Sequence, residues 1–180
     1  MAFVTRGTYL QAVVKALEKS GHLQPLREAV SARTATMLTT PHAETWWPAE
    51  CVIELLLAAE RRGGFTLVED TCAGAIDQYV TPLMRSMLKI AISLSGRTPS
   101  TALSRMDQMV SVTNRGITTR WEQATPRSGK LHVDYDLAVP PVVGAVWTGT
   151  VRSILSSFRV QGTCRIVETL PAGFVLEVSW

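Results

Sequence analysis

The chain has 180 residues, 46% of them apolar and 18% charged: ample material for a core and too little charge for a disordered segment. The net charge of +3 does not by itself call for a polyanionic partner, and no apolar run approaches the ~20 residues of a membrane helix, residues 52–59 being interrupted by Glu54. The opening residues lack the basic start and apolar stretch of a secretory signal, so a cytoplasmic protein with no membrane span is expected.

The first helix is marked by Leu10, Val13, Val14 and Leu17, an i, i+3, i+4, i+7 stripe, with Thr8 as a candidate cap and Gly21 as its end. A second helical piece runs from Pro25 through Leu26, Ala29 and Val30 toward Met37. After a Thr-Pro loop, Trp47-Pro48 predicts a helix start, because proline lacks only an N–H that would be unpaired there. That helix carries Cys51, Val52, Leu55, Leu56 and Ala59 and is expected to stop at Gly63-Gly64. A long helical region from Phe65 to Ser95 follows, broken or bent at Pro82, with Leu83, Met84, Met87 and Leu88 in its second half. A short helix passes through Leu103 and Met106.

The period then changes to two. Ile117, Thr119 and Trp121 alternate with Thr118, Arg120 and Glu122. Beyond a Pro-Arg-Ser-Gly turn, Leu131, Val133, Tyr135 and Leu137 alternate with polar neighbours. Pro140-Pro141 opens a helix with Trp147, Val151, Ile154 and Phe158 on one stripe. Cys164 and Ile166 begin a further strand, and Phe174, Leu176, Val178 and Trp180 form the last alternation. The fold class is therefore α+β: an N-terminal layer of four to six helices, then a strand-strand-helix-strand-strand antiparallel unit. One domain over residues 1–180 is expected, with a helical part (1–112) and a sheet part with one helix (113–180).

This order of elements resembles an uncharacterised myxobacterial paralogous family of about this length. The matching pieces are Gly7 with the first helix, Trp47-Pro48, and the region of Tyr79 and Thr81. Further pieces are Leu103 to Asn114, Pro140-Pro141 through Gly144, and the closing Val178-Ser179-Trp180. These are packing and turn signals, so the resemblance implies a bacterial protein of this fold and says little about activity. The layout is also similar to the haem-nitric-oxide-binding and vinyl-reductase-type sensor domains, and more distantly to longin-like vesicle-tethering subunits. That likeness implies a binding or scaffold module.

No catalytic constellation is found. His22, His42 and His132 have no Cys, His or carboxylate at metal-ligand spacing. Cys51, Cys72 and Cys164 are odd in number and widely spaced, and read as small buried hydrophobes. There is no G-x-S-x-G and no phosphate loop. Asp134 and Asp136 share a strand face, which paired carboxylates can use for acid–base work; solvated charge is the plainer reading, as for Glu69, Asp70 and Asp77. A haem would need an axial ligand on a buried helix. No histidine falls on an apolar helix, and the tyrosine-x-serine-x-arginine clamp of the haem-binding sensors is absent from Ser100 to Arg105.

Residues 40–80 hold seven acids against Arg61 and Arg62, and residues 81–130 hold eight basic residues against Asp107 and Glu122. Such polarity favours docking or self-association. Arg115, Arg120, Arg127 and Lys130 around Trp121 suggest single-stranded nucleic acid as an alternative, but one inward-alternating aromatic is a poor stacking platform.

The expected function is a non-enzymatic regulatory or protein-interaction domain, with a partner protein or a second copy of itself. A hydrophobic small ligand could sit between helices and sheet, among Trp46, Trp47, Met84, Met87, Trp147 and Phe158. No metal and no cofactor are expected. The alternatives are a haem or gas sensor and a nucleic-acid-binding protein using residues 85–130.

Overall fold

The structure is a computed structural model and describes residues 3–79 and 98–180. It is α+β, as the pattern predicts, with helices preceding an antiparallel sheet. Helix α1 (Gly7–Lys19) buries Leu10, Val13 and Leu17 of its apolar stripe and leaves Val14 half-buried. Gly21, at φ +72°, ends it in the left-handed conformation that favours glycine.

The second helical piece is two helices, α2 (Leu23–Ala29) and α3 (Ala32–Thr39). Ser31 separates them. It is extended, and its Oγ accepts a hydrogen bond from the Thr34 N–H at 3.4 Å, the geometry of an N-cap. Glu54 of the next helix accepts from the Ser31 N–H and Oγ, both at 2.7 Å, and from the Thr34 hydroxyl. The Thr34 hydrogen bond and those from Ser31 hold its carboxyl below the usual range.

Of two expectations about α4 (Ala49–Tyr79), one is corrected and one is borne out. Trp47-Pro48 does not open it: Trp46–Pro48 is a strand, β2, and the helix begins at Ala49. The stop expected at Gly63-Gly64 is present: Gly64, at φ +68° and ψ −169°, is non-helical and parts α4 into two helical runs. The consequence is a small three-stranded antiparallel sheet in the order β2-β1-β3, with β1 at Val4–Arg6 and β3 at Asn114–Arg115. Strands this short leave no periodicity to read. Pro82, Met84 and Met87 lie outside the described residues.

Helices α5 (Pro99–Leu103) and α6 (Met106–Thr113) lead into the main sheet. Its strands are β4 (Ile117–Thr125), β5 (Ser128–Tyr135), β6 (Thr163–Leu170) and β7 (Gly173–Ser179), in the order β4-β5-β7-β6. Leu131, Val133 and Tyr135 of β5 meet Phe174, Leu176 and Val178 of β7 on the buried face. Helix α7 (Val142–Ser157), the crossover, lies on that face, and Gly144 makes room for the tip of Ile166 and for the Phe174 ring. On its other side α7 meets α4. Gly149 sits against the Glu69 backbone, Arg152 pairs with Asp70 at 2.5 Å, and the Ser153 hydroxyl donates to Asp77. Glu69, Asp70 and Asp77 thus have partners on α7, and Asp70 and Asp77 are exposed, in keeping with solvated charge. Asp134 and Asp136 are exposed, but Asp134 lies on an interior strand, the sheet edges being β4 and β6.

Candidate ligand-binding site

The helical layer meets the sheet layer at four polar side chains. Tyr9 comes from α1, Cys72 from α4, Tyr135 from the end of β5 and Trp147 from α7. The Trp147 Nε1–H donates to the Tyr135 hydroxyl at 2.7 Å, with both groups buried. Phe3 packs edge-on against the Tyr135 ring, with centroids 5.2 Å apart. Tyr9 and Cys72 lie together in the wall of one cavity. Burial pushes the Cys72 thiol up to about 12 and raises both phenols well above their ordinary range, so all three groups stay protonated at neutral pH.

Two cavities of about 50 Å³ each flank this cluster. One is walled by aliphatic side chains of α1, α2 and α4, including Leu10, Leu17, Leu26, Leu55 and Val68, with Tyr9 and Cys72 in its wall. The other lies among Ile76, Met106, Val110, Thr150 and Ile154. Tyr9 lines both and stands between them. By this measure a cavity needs ~10–15 Å³ to hold one water, and a polar lining to keep it. These have the room but little of the polarity, so they suit a small apolar molecule.

The residues singled out from the sequence are spread more widely. Trp147 is buried in the cluster. Trp46 is half-buried on β2, with the Arg115 guanidinium 4.2 Å and the Arg6 guanidinium 5.9 Å from its ring. Trp47 is half-buried against the core, and Phe158 caps α7 at its C-terminus. None of these four lines either cavity. Met84 and Met87 lie outside the described residues. Sequence reasoning missed Tyr9, Cys72 and Tyr135. Tyr135 reads as one position in an alternation, Cys72 as a small buried hydrophobe and Tyr9 not at all, and only the tertiary fold brings them together.

The histidines lie elsewhere. His22 sits at the α1–α2 turn, its Nδ1 accepting from Arg62 at 3.2 Å. His42 is exposed in a loop. His132 lies on β5 between the buried Leu131 and Val133, with its Nε2 3.2 Å from Glu122. Among the described residues no three His, Cys, Asp or Glu side chains converge as a metal site. None of the described helices is long and apolar enough to cross a membrane. Trp121, the aromatic of the basic hairpin, donates its indole N–H to the Ser100 hydroxyl at 3.0 Å and packs near Trp180, which removes it as a stacking platform for bases.

No protein-family model matches the chain, and no curated protein sequence does. Solved structures do. The Fe(II) unliganded H-NOX protein from K. algicida superposes with a TM-score of 0.73 at 8% identity, over 97% of this chain and 95% of that one. An oxygen-binding H-NOX domain related to soluble guanylate cyclases gives 0.65 at 10% identity, over 97% and 94%. An H-NOX structure used to probe haem distortion gives 0.66 at 10%, over the same shares. At such identities the likeness speaks to architecture alone, and the conclusion is that this chain has the H-NOX fold.

Proposed function

We propose that the chain is a non-catalytic sensor domain that takes a small apolar ligand into the cavities flanking Tyr9. The observation that carries this reading is the pair of apolar cavities sharing one phenol among the packed helices. A ligand there touches α1, α4, α6 and α7 together. It can therefore favour one packing of the helical layer on the sheet, and a surface reads that packing out to a partner. The fold likeness supports a sensor, the class that sequence alone ranks second, over a plain interaction module.

A histidine-ligated haem does not fit these residues. None of the three histidines reaches the interior, and residues 80–97 contain no histidine, cysteine or tyrosine. The interior offers Tyr9, Cys72 and Tyr135, of which Tyr135 is already engaged by Trp147. The cavities beside them fall well short of the ~300–1,000 Å³ of sites for larger organic ligands. A haem or gas sensor remains the second reading because the neighbours are haem proteins by their descriptions.

One pair of experiments separates the readings. Small apolar molecules should raise the melting temperature of the wild-type protein in a saturable way, and Leu55→Phe, which fills the first cavity, should abolish the shift. Haemin should produce no stoichiometric Soret band. A one-to-one Soret band that changes in Cys72→Ala or Tyr9→Phe would establish the haem reading instead.

A further inference from the structure

Three of the four exposed large apolar side chains among the described residues lie on one strand, Ile166, Val167 (44% exposed) and Leu170 of β6, although the tip of Ile166 packs against Gly144. This strand is an edge of the main sheet, and each of its residues except Cys164 is exposed. The opposite edge is managed differently. Helix α6 packs along β4, the Asp107 carboxylate accepts the Thr119 N–H at 2.8 Å, and Trp121 anchors the strand to α5 through Ser100. Natural edges are blunted by shortness, charged side chains, proline, bulges or a covering element. β6 is eight residues long and lacks lysine and proline, and what it carries is Arg165, Glu168 and a bulge.

Its one irregularity is a bulge between Ile166 and Glu168. The bulge changes which residues share a face. Arg165 lies opposite Glu177 of β7 and Glu168 opposite Val175. Glu177 and Val175 are two apart on β7, so Arg165 and Glu168 stand on the same face although they are three apart in sequence. Thr163 and Leu170, opposite Ser179 and Gly173, share that face as well. Cys164 and Thr169, opposite Val178 and Phe174, share the other.

The strand is therefore complementary to itself. Turn a second copy antiparallel about the bulge and each residue meets one on its own face: Arg165 meets Glu168, Cys164 meets Thr169, and Thr163 meets Leu170. The apolar Ile166 and Val167 flank the axis. One pairing generates its mirror, so two Arg–Glu contacts form at once. Arg165 already binds Glu177 through Nε at 2.8 Å and Nη2 at 2.5 Å, and a guanidinium has donors left for a second carboxylate. We propose that β6 is the interface of a two-fold homodimer in which two copies join edge to edge and their four-stranded sheets run on as one. The charge match at the bulge selects a second copy over an unrelated strand.

The test is the mass in solution by light scattering or sedimentation, with folding of each variant checked by circular dichroism. The wild-type protein should be a dimer at high micromolar concentration. Glu168→Arg sets like charges opposite one another and should weaken association at least ~10-fold. The double swap Arg165→Glu with Glu168→Arg should restore the dimer, since each pair is then re-formed with its signs exchanged. Val167→Lys, a charge at the axis, should also give monomer and decides the matter should Glu168→Arg not fold. A monomeric wild-type protein overturns the proposal. So does a dimer indifferent to both single variants, and so does a dimer lost in Glu168→Arg and not regained in the double swap.

Discussion

The indole N–H of Trp147 donates to the hydroxyl of Tyr135 at 2.7 Å, deep between the crossover helix and the sheet it covers. Each of the two groups satisfies the other where water is excluded, and this makes the pair sensitive to the loss of one member. Tyr135→Phe strands a buried donor and should cost about 1–3 kcal/mol. Trp147→Phe strands the hydroxyl and leaves a void as well, so it should cost more. Denaturant midpoints should show the double variant less destabilised than the sum of the singles, because the bond can be lost only once.

The sheet half of this fold could be read from the sequence, and much of the helical half could not. Leu131, Val133 and Tyr135 alternate with polar neighbours because one face of β5 is buried. The stripe Leu10, Val13, Leu17 marks α1 for the corresponding helical reason. The small β2-β1-β3 sheet was invisible, since strands of two or three residues carry no period. Glu54 looked like a mere interruption of an apolar run, yet it grips Ser31 and Thr34, 23 and 20 residues away. The candidate site suffered most. Tyr9 and Cys72 belong to different helices, and nothing in either local pattern announces that they meet.

Glu54 ties acid stability to one carboxylate. Its folded pKa is lowered by the Thr34 and Ser31 hydrogen bonds, so its contribution is fully present above the unfolded value of ~4.3. That contribution is lost as pH falls through the lower folded value. Glu54→Gln should cost about 1 kcal/mol near neutrality, the scale of a helix cap after solvent screening. The difference from wild type should shrink on the acid side of ~4.3. Urea titrations of both proteins across that range give the comparison.

Cys72 should be chemically quiet. Burial pushes its thiol up to about 12, and the thiolate is the reactive form. A disulfide reagent at mild alkaline pH should modify Cys72 only on the timescale of protein opening, while all three free cysteines react promptly in denaturant. Fast labelling that disappears in Cys72→Ala would show that the interior opens or that the thiol is ionised.

Gly149 sets how closely α7 approaches α4. A Cβ there would overlap the backbone carbonyl of Glu69, which cannot swing aside as a side chain can. Alanine gains ~1 kcal/mol in helix propensity. Overpacking against fixed backbone costs typically ~1–3 kcal/mol, and here it should win. Gly149→Ala should lower the melting temperature, by ~2–4 °C for each kcal/mol lost.

The central claim is an interior with room for a small apolar guest beside Tyr9, and xenon probes it most directly, because an inert atom enters apolar cavities without chemistry. The measurement is methyl NMR of the wild-type protein under rising xenon pressure. The account predicts saturable shifts confined to methyls around the cavities, Leu10, Leu17, Leu55 and Val68 on one side and Ile76 and Ile154 on the other, and their loss from the first set in Leu55→Phe. Shifts that grow linearly at surface methyls alone, with those six unmoved, would contradict it.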